Sequence, residues 1–164
     1  SPNKNNTVMN KDTTPYERPL VESVVNWLEA GLTLRYSHRD YCGTGFTFER
    51  GEYLYCEFNE GEHTVLKSFS SKAAFIEWLT QQSDLSLARL DDVNFGLRNN
   101  QVITRARLIE FINEAPRMYQ EQQERQAELI REQAQSVIRK KEQQIREAQE
   151  REKWQLLKEQ CEKE

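Results

Sequence analysis

The chain has 164 residues, 37% hydrophobic and 30% charged, with a net charge of −4; this length holds one domain plus an extension. Residues 1–115 carry 12 Lys/Arg against 16 Asp/Glu, and residues 116–164 carry 11 of each. An acidic compact part argues against nonspecific nucleic-acid binding, which needs a basic face, and it suits a partner with a basic surface.

Residues 1–17 read as a disordered or flexible N-terminus. Ser1 to Pro15 is polar and lacks the apolar core of a signal peptide. A first helix is expected from about Pro19, because proline is favoured in the first helical turn, where its missing N–H would have gone unpaired. Leu20, Val21, Val24, Val25, Trp27 and Leu28 follow at helical spacing, and Gly31 is a natural stop.

Short aromatic and β-branched runs separated by Gly turns come next, the pattern of an antiparallel meander. Leu32–Tyr36 reads as a short strand and His38–Gly45 as a loop. Phe46–Phe48, Tyr53–Phe58 and Thr64–Phe69 read as strands, with turns at Glu49-Arg-Gly51 and Asn59-Glu-Gly61-Glu62. Side chains alternate across a strand. On the middle strand this predicts Leu54, Cys56 and Phe58 as core, and leaves Tyr53 and Tyr55 as candidate surface anchors for a partner.

A helix capped by Ser70 or Ser71 carries Ala74, Phe75, Trp78 and Leu79 inward. Ser83-Asp84 opens a short turn or helix with Leu85, Leu87 and Leu90, and Asp91–Gly96 reads as a loop. Thr104 caps a helix over Arg105–Asn113, and Pro116 is expected to break or re-set the chain. The compact domain is thus predicted over residues 18–115.

From Arg117 onward there is no Gly and no Pro, and Glu, Gln, Arg, Lys and Ala dominate. Glu121–Arg125, Glu142–Arg146, Glu147–Arg151 and Glu159–Lys163 are favourable i,i+4 pairs. Residues 116–164 are predicted as one long charged helix, about 70 Å in length at 1.5 Å per residue. A thin apolar line runs along it through Ala127, Ile130, Ala134, Val137 or Ile138, Ile145, Ala148 and Leu156, interrupted by Lys141 and Glu152. The spacing is nearer 3.6 than 3.5, so heptads are weak. Two readings stand side by side: a solvated helix packed along one edge, or a helix that pairs with a second copy or docks a partner.

The candidate chemistry is sparse. Three cysteines, Cys42, Cys56 and Cys161, form no disulfide framework, and a reducing cytoplasm is the expected compartment. His38, Cys42, Cys56 and His63 supply metal-ligand types but no tight Cys-x2-Cys pair, so no metal and no cofactor is expected. Cys42 lacks the electropositive setting of a reactive thiolate. Gly43-Thr-Gly45 leads into a strand where a phosphate loop would lead into a helix. The basic run Arg139-Lys-Lys141 is matched by glutamates and has no interleaved aromatics to stack bases. No apolar run reaches the roughly 20 residues of a membrane span. With no nucleophile–base–orienter set, the chain is not expected to be an enzyme. The carboxylates Glu57, Glu60, Glu62, Asp84, Asp91 and Asp92 read best as an acidic surface for a basic partner.

Four stretches between about Trp27 and Ile112 prompt a comparison in kind: Tyr41-Cys-Gly-Thr-Gly-Phe46; Tyr53-Leu-Tyr-Cys-Glu57; Phe75-Ile-Glu-Trp-Leu79 with Gln82-Ser-Asp84; and Asn100-Gln-Val-Ile-Thr-Arg-Ala-Arg-Leu108. This region resembles the immunity proteins of bacterial polymorphic toxin systems in being an acidic α+β domain with a Gly-turned sheet and Trp-Leu helices. The long tail departs from that pattern. The resemblance implies an antitoxin that binds a cognate toxin domain and occludes its active site. Glu57, Glu60, Glu62, Asp84, Asp91 and Asp92 would then present charge, with Tyr53, Tyr55 and Trp78 as aromatic anchors. The alternative is a scaffold or assembly protein whose C-terminal helix mediates self-association, as a homodimer or coiled coil, or docks a partner. The expected fold class is α+β: a small antiparallel meander packed by helices, followed by a long C-terminal helix.

Overall fold

A computed structural model describes residues 12–36, 42–95 and 101–163. The described residues form an α+β fold with a long C-terminal helix. Its elements in chain order are α1 (Arg18–Glu29), β1 (Leu34–Arg35), β2 (Gly43–Glu49), β3 (Glu52–Asn59), β4 (Glu62–Phe69), α2 (Lys72–Thr80), α3 (Asp84–Phe95) and α4 (Arg105–Lys163). The strands make one antiparallel sheet in the order β1-β2-β3-β4.

Local chemistry explains most of these boundaries. Proline lies in the first turn of α1, where it costs no hydrogen bond. The β2–β3 and β3–β4 connections are two-residue turns. Each holds two consecutive residues in the left-handed region, Arg50 (φ 52°) with Gly51 (φ 79°) and Glu60 (φ 50°) with Gly61 (φ 89°). That backbone matches the twist of the flanking strands, and glycine adopts it without steric cost. Ser71 Oγ accepts a hydrogen bond from Ala74 N at 3.3 Å and so caps α2. Thr104 Oγ1 does the same for Arg107 N, also at 3.3 Å, at the start of α4.

The core lies on one face of the sheet. Val21, Val24, Val25 and Leu28 of α1 meet Phe75, Ile76 and Leu79 of α2, Leu87 of α3, and Leu108, Phe111 and Ala115 of α4 over Leu34, Phe46, Tyr53 and Tyr55 of the strands. Phe75 is the aromatic hub. Its ring lies 5.6 Å from Phe46, 5.5 Å from Tyr53 and 5.4 Å from Phe69, centroid to centroid. Such pairs add to the burial of large rings. Leu54, Cys56 and Phe58 form a second, smaller buried cluster on the opposite face.

Four expectations are corrected. Order reaches further toward the N-terminus than residue 18. Tyr16 is buried, its N–H bonds to Gln82 O at 2.9 Å, and Leu85 N bonds to Asp12 O at 3.0 Å. Arg105 clamps this segment: its guanidinium pairs with Glu17, bonds to the carbonyls of Thr14 and Pro15, and lies over the Tyr16 ring. Residues Asp91–Phe95 continue α3 instead of forming a loop. Gly43–Gly45 belongs to β2, where Tyr36 N bonds to Thr44 O at 2.9 Å. Pro116 sits inside α4 without ending it. A proline forfeits one backbone hydrogen bond, but Phe111 and Ala115 are anchored in the core just before it, and the strong helix formers after it carry the helix on. The chain divides into two compact units, Ser1–Tyr119 and Gln120–Glu164, the division falling a few residues after the one expected from Pro116.

Candidate functional site

The carboxylates and aromatics singled out from the sequence do not form one surface. Tyr53 and Tyr55 point into the main core, 6% and 0% exposed, so neither is a surface anchor. Tyr55 packs its ring 5.2 Å from Phe46 and 5.5 Å from Trp78. Tyr53 keeps its polar end satisfied by donating from its hydroxyl to Glu29 Oε1 at 2.6 Å. Burial, with this bond to a carboxylate, pushes the Tyr53 hydroxyl up to about 12. The same bond, together with Lys72, holds Glu29 below the usual carboxylate range. The strand alternation was correct, but the larger core belongs to the tyrosine face, because ring area is buried there while each polar tip needs only one partner.

Asp84 is an internal cap. Its Oδ1 accepts from Tyr16 Oη at 2.8 Å and from Arg105 N at 2.7 Å. It ties the N-terminal segment and the first turn of α4 to the start of α3, and the residue is half-buried there. Burial, followed by the charge of Asp84, raises the Tyr16 hydroxyl above the ordinary tyrosine range. Asp91 and Asp92 lie in α3, and their side chains fall outside the described residues.

Three carboxylates do come together. Glu57, Glu60 and Glu62 sit on the β3–β4 hairpin, Glu57 half-buried and the other two exposed at its tip. Trp78 is half-buried against the core, with the Lys67 ammonium 5.5 Å above its ring.

That lysine belongs to a feature the sequence reading did not single out. Thr13, Lys67, Trp78, Gln82, Ser83, Leu85, Ser86, Arg89 and Leu90 line an open cleft of about 560 Å³. It is within the size range of ligand pockets, and among the described residues its lining holds two cations and no carboxylate. The cleft favours an anionic group joined to a flat or apolar body, in contrast to the acidic hairpin. Lys67 and Arg89 lie far apart in sequence, so only the folded chain reveals that they converge.

The cysteine candidates separate. Burial pushes the Cys56 thiol up to about 11, with the Glu49 charge adding to the effect, so it is not a thiolate at neutral pH. Cys42 donates from Sγ to Asn59 Oδ1 at 3.3 Å, and Cys161 is exposed on α4. The His63 ring lies tilted against Phe58 with centroids 5.7 Å apart, and its Nε2 is 3.5 Å from Glu49, while His38 lies outside the described residues. Among the described residues no three His, Cys, Asp or Glu side chains are placed to hold a metal ion, and no helix is long and apolar enough to cross a membrane.

The largest exposed apolar side chains are on α4. Ile130 (66% exposed), Val137 (52%), Ile138 (54%), Ile145 (57%) and Leu156 (56%) lie along the stripe read from the sequence. Trp154 is 72% exposed and joins Leu157 and Cys161 on another face of the same helix. The 3.6-residue spacing of the first stripe missed this second, short one. No family model matches the chain, and no curated protein and no solved structure matches it.

Proposed function

We propose that this protein is a non-enzymatic assembly protein, an α+β head joined to a helix that pairs with a second copy. One observation carries the reading: five large aliphatic side chains of α4 spaced along one stripe, each more than half exposed. Scattered apolar residues on a surface are ordinary, but a row of them along one face of a helix calls for a partner. A second helix laid along the row removes apolar area from water on both copies, at roughly 25 cal/mol per Å². The charged remainder of α4 keeps it helical and dissolved until it pairs. Three unbridged cysteines suit a cytoplasmic setting.

Sedimentation of the full chain and of a chain ending at Tyr119 tests this. The full chain is expected to associate with rising concentration, and the shortened chain, which keeps the main core, to stay monomeric. If both sediment as monomers at every concentration, the assembly reading fails.

The acidic hairpin favours a second reading, an immunity-type inhibitor that docks a basic toxin domain and covers its active site. Glu57, Glu60 and Glu62 are carried on a single hairpin, and such a charge cluster steers association with a basic surface. Replacing all three by lysine is expected to weaken capture of the cognate toxin by at least about tenfold, measured as a Kd, and to slow its association. Unchanged affinity would remove the hairpin from that mechanism.

A further inference from the structure

The apolar stripe of α4 is interrupted twice by charge, at Lys141 and Glu152. Neither residue forms an ion pair among the described residues. Eleven positions, about 16 Å of helix, separate them, so they cannot meet within one chain. Stripe residues recur at the same spacing of eleven: Ala134, Ile145 and Leu156 form one such series. A period of 11 residues is 3.67 per turn, close to that of a straight helix, so a long stripe stays on one side.

We propose that two copies pair antiparallel through residues 137–156 of α4, with the two-fold axis between Arg146 and Glu147, so that Lys141 of each copy faces Glu152 of the other. This register rests on the assembly reading above. It places Ile145 opposite Ala148 beside the axis and Val137 opposite Leu156 further out, large against small and apolar against apolar. Between Val137 and Leu156 the stripe maps onto itself under this two-fold, Val137 and Ile145 falling opposite Leu156 and Ala148. Other arrangements do not achieve this. A parallel pair in register sets Lys141 against Lys141 and Glu152 against Glu152, like charges in the seam. Sliding the antiparallel pair by one turn, four residues either way, puts each charge against an aliphatic residue. Polar residues at seam positions are the ones that fix register and orientation in paired helices.

The test uses the full chain in low salt, with self-association followed by sedimentation velocity. K141E and E152K each turn both seam pairs repulsive and are expected to weaken association about tenfold. The double variant K141E/E152K restores opposite charges and is expected to return to near the parent value. In a C161S background, chains carrying V137C mixed with chains carrying L156C are expected to give the mixed disulfide, and either chain alone little dimer. If the parent chain does not associate, the assembly reading falls and the register with it. If the parent chain associates but the single reversals have no effect, the double variant is not rescued, or V137C crosslinks efficiently to itself, the assembly reading stands and this register is wrong.

Discussion

Replacing Gly45 by alanine is expected to destabilise the head by about 3 kcal/mol, read as a shift of the denaturant midpoint at unchanged slope. Gly45 lies in β2 between β1 and β3, paired with Arg35 on one side and Cys56 on the other. A Cβ at this position would come within 2.2 Å of Leu34 O, 2.7 Å of Phe58 Cε2 and 3.0 Å of Arg35 Cα. Two of these neighbours are backbone, so no rotamer change relieves the clash; β1 itself would have to move. Phe58 is part of the small outer cluster and holds the Arg35 guanidinium 4.7 Å over its ring, so its displacement would open that cluster as well. Gly51 provides the control. Nothing lies within 4 Å of a Cβ added there, but its φ is +79°. Alanine at Gly51 therefore meets only backbone strain, about 1 kcal/mol. If alanine at Gly45 cost no more than alanine at Gly51, the close approach of β1 to Gly45 would be wrong.

Where a feature depends on neighbours in sequence, residue type was enough to find it. The Ser71 and Thr104 caps, the two Gly turns, the valine face of α1 and the stripe of α4 all belong to this class. Features that depend on long-range pairing were not legible. Nothing near Asp84 in sequence indicates that Tyr16 and Arg105, 68 and 21 residues away, converge on one of its oxygens. The period of β3 showed that its two sides differ. It did not show that the aromatic side would take the larger core, because that depends on α1, α2 and α4 all packing against the same face. Pro116 misled for a related reason: a local penalty of about 3 kcal/mol is outweighed when the turn before it is anchored in the core. The candidate site divides in the same way. The stripe on α4 and the hairpin carboxylates are local patterns, whereas the cationic cleft of Lys67 and Arg89 exists only once β4 and α3 are brought together.

Tyr55 is where the two views of the molecule lead to opposite experimental results. A partner anchor replaced by alanine leaves the free protein as stable as before and weakens the complex. A buried ring replaced by alanine loses its transfer free energy and leaves a cavity, about 3–5 kcal/mol for a large aromatic. Tyr55 is fully buried between Phe46 and Trp78, so Tyr55→Ala is expected to cost the free head stability in that range, with no partner present. Chemical denaturation of the variant, compared with Tyr55→Phe, measures the effect. Phenylalanine keeps the ring and is expected to recover most of the loss. Lysine at Glu57, Glu60 and Glu62 makes the complementary case. Surface substitutions away from buried partners change stability by about 0.5 kcal/mol or less each, so any large effect of that triple variant has to come from a lost partner. A Tyr55→Ala chain that unfolded at the parent denaturant concentration would mean that β3 presents its other face to the helices. The hairpin at its end would then have to be reconsidered along with it, since one strand's pleat sets both.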